Sequence, residues 1–77
     1  MNKRITNARI KRWLQDILDL KVVDMDGNSW LAVDNIHIPY EIFINYSSMI
    51  MSIQMLSGTM IHNTWYYDIT DTTIKRL

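Results

Sequence analysis

The sequence predicts an α+β fold: an N-terminal amphipathic helix packed on a small antiparallel sheet, or partly open barrel, of about four to five strands. Three observations predict it. Apolar residues near the start recur at helical spacing. Two turn signals, Asp26-Gly27 and Ser57-Gly58, each separate runs rich in Ile, Val, Tyr and Met. And 77 residues make one domain, not two.

The helix comes first. Ile10, Trp13, Leu14, Ile17 and Leu18 follow the i, i+3, i+4, i+7, i+8 pattern and predict a helix over about 7–20. Either Thr6 or Asn7 supplies an N-cap oxygen for an orphan backbone N–H. Arg9, Arg12, Asp16 and Asp19 fall on the opposite face, and Trp13 belongs to the core stripe.

A hairpin over about 20–33 follows. Asp26-Gly27 as its two-residue turn pairs Val22 with Leu31 and Leu20 with Val33 on the core face, leaving Val23 and Trp30 on the other. Strands are then expected at about 36–46, 49–56 and 59–67. With Ser57-Gly58 as the second turn, Met49, Met51, Ile53, Met55, Met60 and Tyr66 share a face with His62, while Ile50, Ile61 and Trp65 line the other. Residues 68–77 read as a strand end plus a short turn or helix. One conflict stays open at this level. Ile42, Tyr46, Met49, Ile53 and Leu56 also fit a helical repeat, so 40–56 reads as helix or strand; the Ile and Tyr content favours strand.

The formal net charge is +0, but the charge is segregated. Lys3, Arg4, Arg9, Lys11 and Arg12 precede residue 13 without an acid among them. From Asp16 to Asp71, eight acids face Lys21 alone, and Lys75 and Arg76 close the balance. On the helix this order opposes the macrodipole, which favours acids at the N-terminus by about 0.3–1 kcal/mol each. Local helix stability therefore does not explain it. Two readings remain: a solvated face engaging the chain's own acids, as charge runs usually do, or a basic patch that meets phosphate or an acidic surface.

Between Glu41 and Asp68 lies a run of 26 residues with no formal charge, counting His62 as neutral. A hairpin has two faces, and one helix covers one of them. A chain this short buries only about 60% of the surface its unfolded form exposes, so both faces are not expected to be covered. A charge-poor surface carrying Met, Tyr and Trp has the composition of an interface core. The expected protein contact is therefore Tyr46, Met49, Met51, Met55, Met60, Trp65 and Tyr66, meeting a protein partner or a second copy in a homo-oligomer. The plainer alternative is a buried hairpin with methionines as gap-fillers. A membrane span is disfavoured, because about nine polar side chains of the run need partners in lipid.

Chemistry-bearing motifs are sparse. With no Cys, disulfides, thiolate zinc sites and cysteine nucleophiles drop out. His37 and His62 lack ligand spacing, Glu41 is the sole glutamate, and both glycines are used by turns, so no catalytic residue, metal, cofactor or small-molecule substrate is expected. No apolar stretch follows the basic N-terminus as in a signal peptide, which suggests a cytoplasmic chain. The functional expectation is a small non-catalytic regulatory or inhibitory module, the kind of role held by accessory proteins of phages and mobile elements. The alternative is a nucleic-acid-binding regulator with the basic helix on phosphates and sheet aromatics on bases.

Overall fold

The computed structural model describes residues 5–70 and 72–77. Lys3 and Arg4 lie outside the described residues. The chain runs α1 (Asn7–Leu18), β1 (Lys21–Asp26), β2 (Ser29–Val33), β3 (Pro39–Asn45), β4 (Ile50–Ser57), β5 (Met60–Asp68) and β6 (Lys75–Arg76). The six strands form one antiparallel sheet in sequence order, open between β1 and β6, with α1 against one face. It has one strand more than the sequence predicts, because part of the tail forms β6 against Tyr67 and Asp68. The 40–56 ambiguity resolves to two strands.

Helix α1 starts where Thr6, in extended conformation, accepts the Arg9 N–H on its hydroxyl at 3.3 Å. It stops at Leu18 rather than Leu20. Asp19 turns left-handed (φ 56°), and the Leu20 N–H returns to the Leu14 carbonyl at 2.9 Å, satisfying a terminal acceptor. Ile10 and Leu14 are fully buried, and Trp13 and Leu18 pack at the margin. Ile17 departs from the predicted stripe and is 64% exposed, because the helix meets the sheet along a narrower line than its apolar arc.

The core forms between α1 and the inward residues of the strands: Val22, Trp30, Ala32, Ile42, Ile44, Met51, Ile53 and Tyr67, with Ile5, Leu20 and Ile69 closing its ends. Both hairpins differ from prediction in the same way. Their two-residue loops are Gly27-Asn28 and Gly58-Thr59, since Asp26 pairs with Ser29 and Ser57 with Met60. Each glycine has positive φ at the first loop position, as in a type II′ turn. Each hairpin then carries one extra residue, Val23 in β1 and His62 in β5. Such a bulge reverses which side chains face inward beyond it.

Two expectations are thereby corrected. In β2 it is Trp30 and Ala32 that enter the core, while Leu31 faces out; the Trp30 indole N–H donates to the Gly27 carbonyl at 2.9 Å. In β5, Trp65 and Tyr67 share the inner side with Met51, Ile53 and Met55, while Tyr66 faces out. The Tyr67 ring meets Trp13 edge-on at 5.2 Å, which ties β5 to α1.

Candidate protein-binding surface

The face of the sheet away from α1 is uncovered. Strand register places its residues in rows. One runs Asp26, Ser29, Phe43, Ser52, Tyr66 across β1 to β5; Asp24, Leu31, Glu41, Gln54, Thr64 flank it on one side and Asn45, Ile50, Asp68, Lys75 on the other. Phe43 is 45% exposed and Tyr66 52%. They stand on either side of Ser52, whose small side chain leaves a recess between two rings. The recess measures about 310 Å³ and is lined by Phe43, Asn45, Ser48, Ile50, Ser52 and Tyr66. Asn45 does not float: its side-chain oxygen accepts the Ser47 and Ser48 N–H groups, both at 3.0 Å, and fixes the β3–β4 turn at the rim. Chemically this is an open, mainly apolar recess with a hydroxyl and amide rim.

The structure divides the residues that the sequence put into one contact surface. Met51 is removed from it: β4 turns that side chain under α1, where it is fully buried. Met49 and Trp65 are partly buried and pack on the core from the helix side; Met55 is partly buried on the same inner side. Tyr46 is exposed on the β3–β4 turn, with its hydroxyl 3.5 Å from Asn7 Oδ1 at the start of α1. Met60 is 71% exposed at the tip of the β4–β5 hairpin. Only Tyr66 stands on the outward face. Leu31, Phe43, Ile50 and Ser52, which complete that face, were not among the predicted contacts. The signal for Phe43 was present, since it alternates with Ile42 and Ile44.

Arg9, Lys11 and Arg12 are all exposed on α1. Arg12 reaches Asp16 at 3.3 Å, with both side chains largely in solvent, a pairing worth at most about 1 kcal/mol. The basic residues therefore lie across the sheet from Phe43 and Tyr66, not beside them.

Two carboxyls are held by local hydrogen bonds. The Asp34 side chain accepts the Ile36 and Ile38 N–H groups at 3.0 and 2.9 Å and the Tyr40 hydroxyl at 3.1 Å, clamping the β2–β3 loop. Desolvation pulls its pKa up, and these bonds together outweigh it, so Asp34 titrates below the usual carboxylate range. Desolvation, and then Asp34 itself, raise the Tyr40 hydroxyl. Asp68 is lowered chiefly by the Thr70 hydroxyl and backbone N–H. Both carboxyls fasten loops; Asp34 also borders an open recess of about 320 Å³ that takes in Asp19, Lys21 and His37. Among the described residues, no three His, Asp or Glu side chains gather where they could hold a metal ion, and no helix is long and apolar enough to cross a membrane. No family model, curated protein or solved structure matches the chain.

Proposed function

We propose that this chain is a small non-catalytic, cytoplasmic regulatory or inhibitory module that binds another protein through the outward face of its sheet. The observation that carries the reading is the recess between Phe43 and Tyr66. One face of the sheet has a helix to cover it; the other presents two half-exposed aromatic rings, Leu31 and Ile50 around small polar residues. A partner side chain seated over Ser52 desolvates both rings, and the surrounding Asn, Ser and Gln side chains complete a polar rim.

The sharpest test removes the socket without touching the core. A Phe43→Ser/Tyr66→Ser chain is expected to fold, because both rings lie outside the core, and to lose capture of its protein partner from host extract. Capture by the native chain is expected to persist after nuclease treatment and in high salt, since apolar burial is not weakened by counterions. Undiminished capture by the double variant refutes the reading.

The nucleic-acid alternative draws on one observation, the exposure of Arg9, Lys11 and Arg12 on α1. It predicts binding that falls steeply with salt and disappears when these three residues become Gln. The aromatics facing outward lie on the other side of the sheet, so they do not add base stacking to that patch.

A further inference from the structure

The β4–β5 hairpin has a second unsatisfied surface, its edge. Strand β6 lies beside β5 only at Tyr67 and Asp68, with the Leu77 N–H reaching the Tyr66 carbonyl. Among the described residues, no strand lies beside Met60–Trp65 on the side away from β4. The last rung between β3 and β4 joins Tyr40 to Met55, so Leu56, Ser57 and the turn project past β3 with only β5 alongside. Burial falls off accordingly: Met60 to Asn63 are all exposed. A two-stranded hairpin standing alone in water is marginal. An edge of this kind ordinarily carries Lys, Glu or Pro against pairing with another chain. This one carries none, whereas the opposite edge of the sheet, β1, has Lys21, Asp24 and Asp26.

We infer that the free edge of β5, from Met60 to Trp65, pairs antiparallel with the same edge of a second copy, so that one sheet continues across a two-fold axis. Charge selects this occupant. In a two-fold contact a strand edge meets the same edge, so a charge near the axis faces its own like, and Met60 to Trp65 carries no Asp, Glu, Lys or Arg to repel. The chain as a whole has zero formal net charge, so two copies meet without long-range repulsion. The outward face suits a second copy less well, because it carries Asp24, Asp26, Glu41 and Asp68 against Lys75, an acidic excess that self-docking brings together. The extra residue His62 bends β5 and confines pairing to a short stretch, and the charged β1 edge offers no second site from which a fibre could grow. The inference goes beyond the face-binding reading and does not depend on it, because edge and face are different surfaces.

Sedimentation of the full chain over about a hundredfold range of concentration is expected to show a species of twice the 9.2 kDa of one chain. Ile61→Lys/Asn63→Lys and Ile61→Glu/Asn63→Glu change exposed positions, so circular dichroism should stay native. Each variant alone is expected to raise the dimer Kd by about a hundredfold or more, from like charges facing across the axis. Mixing the two should restore a dimer, a rescue that misfolding does not produce. The Phe43→Ser/Tyr66→Ser chain should dimerise as the native one does, whatever becomes of its partner capture. A native chain that stays at 9.2 kDa throughout overturns the inference. So does self-association that survives both charge variants, or that is lost with the face variant instead.

Discussion

Tyr66 and Tyr67 are adjacent and chemically identical, and the fold assigns them opposite fates. Without His62 as an extra residue, the register set by the Ser57–Met60 pair would place Tyr66 beside Met51 in the core and turn Tyr67 outward. With it, Tyr67 is 7% exposed against Trp13 and Tyr66 is 52% exposed. Truncating a buried aromatic to Ala costs about 3–5 kcal/mol. At about 0.05–0.15 kcal/mol per residue, 77 residues hold about 4–12 kcal/mol in all, so Tyr67→Ala removes about a quarter of the total or more. The same deletion at Tyr66 loses cross-strand contacts on an open face, about 1 kcal/mol or less. Urea unfolding followed by tryptophan fluorescence, at one protein concentration, reads both. With a slope of about 1 kcal/mol per molar, the midpoint drops by about 3 M or more for Tyr67→Ala and by about 1 M or less for Tyr66→Ala. If Tyr67→Ala fails to fold at all, Tyr67→Leu and Tyr66→Leu keep the ranking measurable. Equal losses, or a larger loss at Tyr66, refute the bulge and with it the outward face.

Two further outcomes follow from the turns and loops. Gly58 sits at φ 63° with nothing within 4 Å of the place a Cβ would occupy, so Gly58→Ala meets no clash and its whole cost is conformational, about 1–2 kcal/mol in thermal unfolding. A cost near zero would mean that the loop does not hold the left-handed glycine. The acid limb of stability depends on Asp34 and Asp68, whose pKa values are lower folded than their ordinary 3.8. Their contribution is fully present above that value and is lost as pH falls through the folded pKa values. Unfolding midpoints measured from pH 5 downward should therefore fall, and Asp34→Asn should flatten that fall; an unchanged acid limb in this variant refutes the clamp.

Elements set by short-range chemistry were legible in the sequence, and elements set by register were not. The Thr6 cap, the Ile10 and Leu14 stripe and both turn glycines announce themselves within a few residues. Whether Asp-Gly or Gly-Asn forms a loop is a smaller signal, decided by twist rather than composition. The bulges at Val23 and His62 leave no compositional trace, yet each reverses an entire strand. This is why Trp30 and Leu31 exchanged places, and Trp65 and Tyr66 likewise. Of the expected contact residues, Met51 was misplaced by the same logic: the turn rule that put Tyr66 on its face assumed an unbroken ladder. The absence of charge along 42–67 needs no register, since whichever set of those side chains lies outward comes from the same uncharged run.

The separation of charge gains a direction once the sheet is in place. Arg9, Lys11 and Arg12 ride on α1 over one face, while Asp24, Asp26 and Glu41 stand in the rows of the other. A protein docking over Ser52 meets these acids on the β1 and β3 side of the recess; on the β5 side Asp68 lies beside Lys75 and the two charges balance. A partner that seats an apolar side chain between Phe43 and Tyr66 with Lys or Arg to one side is therefore oriented as well as attracted. Exposed rim charges act mainly on the rate of encounter, and the buried anchor governs dissociation. Glu41→Gln should accordingly slow association and weaken its salt dependence with little change in the dissociation rate, while Tyr66→Ser should do the opposite. Binding traces for the two variants that differ in amplitude alone, with both rates unmoved, would place the contact elsewhere on the molecule.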